Sequence, residues 1–483
     1  MLFTSPAFLF LFLPVVLLGF AAISKLMGMR FGAIWLALAS LFFYGVWSVD
    51  YIPLLLGSIA FNYCVGFAIS KVRRKWLLWL GIGGDLALLG YFKYTNFFLG
   101  SIADLTGSAA HHYSIILPLG ISFYTFTQIA FLVDAWQNKA REYNPWHYLL
   151  FVTWFPHLIA GPVLHHAPMM KQFRDPAVYR LHSKTLAFGF ALFCIGLGKK
   201  MLIADPISHY VDPVFHLAGT GAAVSFVPAW SGALAYTFQL YFDFSGYSDM
   251  AVGLSMMFGI RLPINFDSPY KSVNISEFWR RWHMTLSQFL RDYLYIPLGG
   301  NRHGEARRLT NLMITMLLGG LWHGAAWTFV VWGGLHGLYL CVQHTFSKIV
   351  GEVRVPGARV ASILLTFLCV VVAWVFFRAE SLHSALTILH GMAGGAGRGH
   401  WTEMYQGKDA WTFAWSVMAC LAAVWFLPNS NQIVERIFSA GATAQQRALP
   451  VRIAAILCVV VFFASVVSVF GTTAHSPFLY FQF

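Results

Sequence analysis

Charge is what this chain most lacks. Only 11% of its 483 residues are Asp, Glu, Lys or Arg, against roughly 25% in a soluble domain. That is too little to cover a water-facing surface. It excludes an ordinary soluble protein, a disordered chain and a nucleic-acid-binding module. Acid is scarcer than base, 19 Asp+Glu against 32 Lys+Arg, for a formal net charge of +13. At this density the excess reads as the Lys/Arg surplus of cytoplasmic loops in a membrane protein, not as a polyanion-binding patch. Cysteine pairs are missing as well. Cys64, Cys194, Cys341, Cys369, Cys420 and Cys458 stand apart in apolar stretches with no CxxC, which points to small buried hydrophobes and away from a disulfide frame or zinc site. His157, His165 and His166 show no HxxxH or HExxH spacing, so no metal is expected there. Internal repeats of the transporter kind and low-complexity tracts are absent too. No basic residue precedes the first apolar core, since Lys25 follows it. Phe8 to Ile23 is therefore read as a retained span and not as a cleaved signal.

Long apolar runs fill the chain instead. The sequence is 58% hydrophobic, and a helix crossing hydrocarbon needs about 20 such residues. Spans are expected at 7–24, 31–48, 52–70, 76–92, 115–133, 146–163, 186–203, 223–241, 361–377, 410–427 and 453–471. The run 245–260 is short. The run 311–343 is too long for one perpendicular helix, reaching about 50 Å at the helical rise. Because these runs are continuously apolar and do not alternate, a β-barrel is not expected. The fold class is an all-α polytopic membrane protein with about 11 to 13 transmembrane or re-entrant helices.

Basic clusters orient it. Placing Lys25 and Arg30, Lys71 to Lys75, Lys348 to Arg359, and Arg436 to Arg452 in the cytoplasm makes the outer spans alternate, with both termini outside and 378–409 an outer loop. The polar stretch Arg261 to Arg308 is then cytoplasmic as well. In that case 311–343 must dip into the membrane and return, with Gly319-Gly320 and Gly333-Gly334 as the expected break points. One strongly tilted helix is the alternative.

Two histidines stand out. Residues 274–293 read as one amphipathic helix opened by an Asn274–Glu277 capping box. Phe278, Trp282, Leu286, Phe289 and Tyr293 make its apolar stripe, and Arg280, His283, Ser287 and Arg291 share another face. An interfacial helix facing headgroups explains the arginines but not His283. His323 lies in Gly319-Gly-Leu-Trp-His-Gly, an ionisable group in apolar sequence and thus a functional candidate. A neutral histidine bonded between helices is the competing reading. His336 lies thirteen positions on, so on a continuous helix it faces away from His323 and cannot share its centre unless the chain breaks between them. Asp85, Asp243, Asp249 and Lys199-Lys200 are further intramembrane polar residues, read first as ties between helices.

Several segments together resemble the membrane-bound O-acyltransferase family, in its bacterial branch containing the alginate O-acetylation membrane protein. They are Leu117-Pro-Leu-Gly-Ile-Ser-Phe-Tyr-Thr-Phe, Trp154-Phe-Pro-His-Leu-Ile-Ala-Gly-Pro, Tyr241-Phe-Asp-Phe-Ser-Gly-Tyr-Ser-Asp-Met, Asn265-Phe-Asp-Ser-Pro-Tyr, Arg280-Arg-Trp-His, Leu321-Trp-His-Gly and the ending Pro477-Phe-Leu-Tyr-Phe-Gln-Phe. The resemblance implies one membrane domain over 1–483, with N-terminal helices 1–110, a catalytic core 111–345 and C-terminal helices 346–483, around a central tunnel or funnel. It makes His323 the principal catalytic residue and His283 the second. Arg280, Arg281, Ser287, Arg291, Trp322, Asp243 and Asn265 become candidate donor or substrate contacts. The expected reaction passes an acetyl group from a cytoplasmic donor across the bacterial inner membrane for O-acetylation of an exopolysaccharide such as alginate. The implied donor is acetyl-CoA or another acetyl thioester, with no bound cofactor and no metal. The implied partners are a periplasmic SGNH-hydrolase-like acetyltransferase, the lipid bilayer and the polymer, with no nucleic acid. In this scheme His323 takes the acceptor's proton and His283 positions a reactant; a covalent acyl-histidine stays open. D-alanyl transfer to teichoic acid, a non-catalytic transporter and an export scaffold are the alternatives.

Overall fold

Lipid offers no water to backbone N–H and C=O groups, so a chain crossing it must close those bonds within helices or a closed barrel, and continuously apolar runs leave the helix. The computed structural model takes that course, and among the described residues all regular structure is helical. The description covers the chain except residues 110–111, 141–143, 352–355, 406–409, 439–443, 472–477 and 480–483. Arg354 of the third basic cluster lies outside it, as does most of the ending from Pro477.

By contacts the chain forms two compact units. The first comprises Met1–Leu197, Tyr247–Ile264 and Val434–Pro477. Its helices include α1 (Phe8–Met27), α2 (Met29–Gly45), α3 (Val49–Val72), α4 (Lys75–Leu89), α5 (Ile121–Trp136) and α6 (Pro145–Thr153). Rings of Phe8, Phe12, Phe43 and Phe155 pack with centroids 5.4 to 6.2 Å apart. Buried polar groups tie helices across this apolar packing: Asn62 donates to Asp85 at 2.7 Å, and Gln128 to Ser58 at 2.8 Å. Such ties offset the cost of burying each group.

The expected span at 146–163 is instead a short α6 followed by a single turn, Phe155–Leu158. Trp154 breaks the run with φ −46° and ψ 107°. Pro156 is the reason, for it has no N–H to continue the ladder and its ring opposes the preceding turn. Trp154 is held in this break by its indole N–H, which donates to Ser255 at 2.9 Å. The cysteines also depart from expectation. Only Cys194 and Cys420 are buried, and Cys64 is exposed near exposed Phe61 and Phe67 of α3. In a membrane protein small apolar side chains serve the lipid face as readily as the core.

The second unit comprises Gly198–Gly246, Asn265–Ile433 and Phe478–Phe483. α7 (Ser183–Ser208) and the 32-residue α8 (Phe226–Met257) each contribute residues to both units. The short run 245–260 is thus mainly the end of α8 and not a span of its own. α9 (Ile275–Arg281), α10 (Met284–Leu290), α11 (Gly304–His323), α12 (Trp327–Val350), α13 (Ala358–Arg378) and α14 (Ala410–Phe426) follow. The expected outer loop 378–409 contains a helix, Leu382–Met392. Ala385, Ile388 and Met392, spaced for one helical face, are among its buried side chains.

The stretch 311–343 is two antiparallel helices. Met313 lies against Gly337, and Cys341 against Leu309. The two base ends are joined where Arg308 meets His344 at 2.8 Å. The chain turns at Gly324–Ala326, not at either glycine pair. Gly320 and Gly333 are where α11 and α12 touch. A Cβ on Gly320 would lie 3.0 Å from the Gly333 Cα and collide with the Phe329 carbonyl oxygen.

Among the described residues, four helices are long and apolar enough to cross a membrane: α1, α3, α7 and α13. α14 with Ser430–Phe438, bent by 59°, makes a fifth. The other apolar helices are shorter or carry polar residues, and α5 is mostly buried among its neighbours.

Candidate active site

α11 ends on His323 because the next residues cannot continue it: Gly324 and Ala326 are extended. A side chain on Gly324 would also run into the Phe329 ring. His323 is thereby left at a helix terminus, only 4% exposed. Its ring centroid lies 5.0 Å from Trp322, 5.1 Å from Trp332 of α12 and 5.2 Å from Phe377 of α13. His283 is 6.2 Å away, and Trp322 is 6.2 Å from His283 as well.

The expected single helix over 274–293 does not form. Asn274 does cap it, accepting from the Glu277 N–H at 2.8 Å. The Glu277 carboxylate, however, takes the Val273 N–H instead of closing the box on Asn274. Burial opposes ionisation of Glu277, but the Val273 N–H and Arg281 prevail and hold its carboxyl below the usual carboxylate range. The helix stops at Arg281, and His283 adopts the left-handed region at φ 43°, ψ 53° before α10 begins. Crowding between Cβ and the backbone makes that conformation unfavourable for a non-glycine residue, so it persists only where the surroundings hold it. Because of the break, Arg280, His283, Ser287 and Arg291 do not share one helical face.

Asn265 holds the strained turn. Its side-chain oxygen accepts from the Thr285 N–H at 3.2 Å and the Thr285 hydroxyl at 2.8 Å. The same oxygen lies 3.3 Å from His283 Nδ1. An acceptor there places the proton of neutral His283 on Nδ1 and its lone pair on Nε2. Two backbone bonds, Met284 N–H to Asn265 and Asp267 N–H to Arg281, align the two segments.

His336 joins the same cluster, contrary to expectation, because the chain does break at Gly324–Ala326. Its ring lies 4.8 Å from Trp332, the ring that also packs on His323. Trp279 donates its indole N–H to His336 Nδ1 at 3.3 Å. Sequence reasoning misses Trp279, Trp332, Trp374 and Phe377 as parts of the site. The i, i+4 spacing of Trp332 and His336 on one face is the signal that could have found the pair.

The remaining candidates fall in three places. Arg281 pairs with Glu277 at 2.8 Å and reaches Asp267, while exposed Arg280 donates to the Ser276 carbonyl. Asp243 forms a buried ion pair with Lys200 and accepts from the Leu479 N–H at 3.1 Å. Its neighbour Phe244 packs on His283, with ring centroids 4.8 Å apart. Ser287 and Arg291 line a cavity of about 480 Å³ with Asn301, Arg308, His344 and Tyr295. Trp279 and Met316 wall that cavity too, and Trp279 lies 5.8 Å from Trp332. An apolar cavity of about 520 Å³ lies between Leu202–Tyr210 and α14. Neither cavity includes His323 or His283 in its lining. The buried histidine pair can hold a proton on one ring while the other binds a polar reactant, which suits transfer to a hydroxyl.

The family profile for MBOAT, membrane-bound O-acyltransferase, matches residues 121–385. A peptidoglycan O-acetyltransferase of Helicobacter pylori is 46% identical over 425 residues, 82% of this chain and 80% of the relative. A protein of Pseudomonas putida named probable alginate O-acetylase AlgI is 40% identical over 510 aligned positions, covering 100% of both chains. A teichoic acid D-alanyltransferase of Streptococcus thermophilus is 28% identical over 243 residues, 49% of this chain and 59% of the relative. Helical spans, buried histidine pair and these likenesses agree: the chain belongs to the membrane-bound O-acyltransferase family and is a multi-pass membrane O-acyltransferase.

Proposed function

We propose that this acyltransferase passes an acetyl group from an acetyl thioester on the cytoplasmic face of the bacterial inner membrane toward hydroxyls of a surface polysaccharide. The observation that carries this reading is a buried pair of histidines, 6.2 Å apart, of which His323 stands two indole rings, Trp332 and Trp279, from a cavity rimmed by Arg291 and Arg308. Guanidinium groups suit the phosphates of coenzyme A or of a carrier's phosphopantetheine arm. Ser287, Asn301 and Tyr295 add hydrogen-bonding groups for such an arm, while Trp279 and Met316 offer an apolar wall for its sulfur end. Relatives that cover four fifths or more of the chain are named for acetylation of alginate and of peptidoglycan, and both polymers present sugar hydroxyls.

A sugar hydroxyl is a weak nucleophile near neutral pH and needs a base within hydrogen-bond reach. In the proposed step His323 takes the proton of the attacking hydroxyl, and His283, with its lone pair on Nε2, orients donor or acceptor. The immediate acceptor is a hydroxyl group; a periplasmic SGNH-hydrolase-like acetyltransferase completes delivery to the polymer.

The test replaces His323 with Ala and measures ester-linked acetate on the cell's exopolysaccharide and peptidoglycan, with membrane abundance measured in parallel. Loss of acetate at normal abundance is expected. Full acetylation by the variant removes His323 from the reaction. Purified protein given radiolabelled acetyl-CoA tests the donor.

A further inference from the structure

Two buried N–H groups, one on Trp332 against His323 and one on His336 behind Trp332, have no acceptor among the described residues. Trp332 is 1% exposed and His336 is fully buried. Neither Trp332 Nε1 nor His336 Nε2 has a hydrogen-bond partner there. For Trp332 the group is necessarily a donor, since an indole nitrogen cannot accept. For His336 the chemistry forces the same answer. Trp279 donates to Nδ1, so Nδ1 carries the lone pair and the proton of the neutral ring sits on Nε2. Leaving such a donor unmet costs the desolvation of its N–H, and buried groups are met in most places of most folds. Here two lie on adjacent rings, 4.8 Å apart between centroids, and the nearer ring is 5.1 Å from His323. The rings of Trp279, Phe278, Trp374 and Tyr339 pack around His336, and none of them, the Tyr339 hydroxyl included, accepts its Nε2 proton.

Donors kept unsatisfied beside a base are what the transition state of acyl transfer requires. Charge develops on the carbonyl oxygen, and preorganised N–H groups in a dry site stabilise it more than they stabilise the ground state. We infer that Trp332 Nε1–H and His336 Nε2–H are catalytic donors that receive the acyl carbonyl oxygen during transfer. This rests on the acetyl-transfer reading above. In the step, His323 accepts the hydroxyl proton as the hydroxyl oxygen bonds to the carbonyl carbon. The C=O π pair moves onto the carbonyl oxygen, which the two N–H groups hold. When that pair returns, the C–S bond breaks, the sulfur keeps its electrons and takes the proton back from His323. An acetyl ester and a thiol result, and no further reactant is needed.

Trp332→Phe removes one donor and keeps most of the ring. His336→Phe removes the other. His336→Gln retains both an oxygen for Trp279 and an N–H for the substrate. The readouts are polymer-linked acetate in cells, and binding to purified protein of two coenzyme A analogues: a methyl ketone, and a trifluoromethyl ketone that is hydrated to a tetrahedral centre. Turnover should fall about 100-fold in each Phe variant at normal membrane abundance, and His336→Gln should recover at least about tenfold of that. The Phe variants should keep wild-type affinity for the methyl ketone and lose the extra affinity for the trifluoromethyl ketone. Wild-type acetylation by both Phe variants would overturn the inference and leave the proposed function standing. Equal loss of affinity for both analogues would overturn it too, by reducing the two residues to packing. If the wild-type protein puts no acetate on any polymer, the proposed function and this inference fall together.

Discussion

The α11–α12 hairpin carries the base and both proposed donors, so its contact point is the place to perturb. Four glycines lie there in two adjacent pairs, and the structure separates them sharply. A Cβ on Gly320 meets the Phe329 carbonyl and the Gly333 Cα, and a Cβ on Gly333 meets the Met316 carbonyl. These are backbone atoms and cannot turn aside. On Gly319 the nearest atom is the end of Leu290 at 3.1 Å, and on Gly334 the end of Leu317 at 3.4 Å; both side chains can move. Alanine gains roughly 1 kcal/mol over glycine inside a helix, while forced overpacking costs about 1 to 3 kcal/mol. Gly334→Ala should therefore be neutral or up to about 1 kcal/mol stabilising, and Gly319→Ala close to neutral. Gly320→Ala and Gly333→Ala should lose up to about 2 kcal/mol net, because the contacts are with backbone that cannot yield, and should also lose acetyl transfer because α12 moves Trp332 relative to His323. Thermal unfolding in detergent and polymer acetate measure the two effects. If all four alanine variants behave alike, the glycines act as hinges, as the sequence alone suggests, and the close-contact argument is wrong.

Other outcomes follow from the same geometry. Asn265→Ala strips the acceptor from Thr285 and His283; it should destabilise by about 2 to 4 kcal/mol and cut turnover far more than donor binding, read as kcat against KM. Lys200→Met leaves the buried Asp243 carboxylate without its cation, a loss of about 3 to 5 kcal/mol, whereas Lys200→Met combined with Asp243→Leu should recover much of it in the same unfolding assay. Arg308→Ala should raise the apparent KM for acetyl-CoA about tenfold with kcat little changed; an unchanged KM would detach the basic cavity from donor binding. Glu277 has a carboxyl held below its ordinary range, so its contribution is present above the unfolded-state carboxylate range and disappears as pH falls through the lower folded-state value. Glu277→Gln should flatten that acid limb of the stability profile.

Much of this protein is legible from its residues one at a time. The scarcity of charge dictates lipid surroundings, and apolar runs that do not alternate must be helical there, because only helices and closed barrels satisfy the backbone in lipid. His323 is legible as an ionisable residue in apolar sequence, and His283 as the one polar residue that an interfacial helix does not explain. Asn265 and Trp322 are visible only through motif resemblance. What stays hidden depends on close approach. Gly320 and Gly333 look like hinges in one dimension because glycine both bends and admits contact, and only the facing helix shows which. On an unbroken helix His336 would face away from His323. The turn after His323 folds those thirteen residues back on themselves and sets both rings against Trp332.

Composition and hydrophobic run length, then, determined the lipid surroundings and the helical class, and set His323 apart as an ionisable group in apolar sequence, since those follow from transfer energies that each residue carries with it. The left-handed turn at His283, the choice of Asn265 as its anchor, and the donors left open on Trp332 and His336 belong to the tertiary structure alone. They arise from which distant segments are forced into contact, and a hydrogen bond is met or unmet only when its neighbours from elsewhere in the chain are in place.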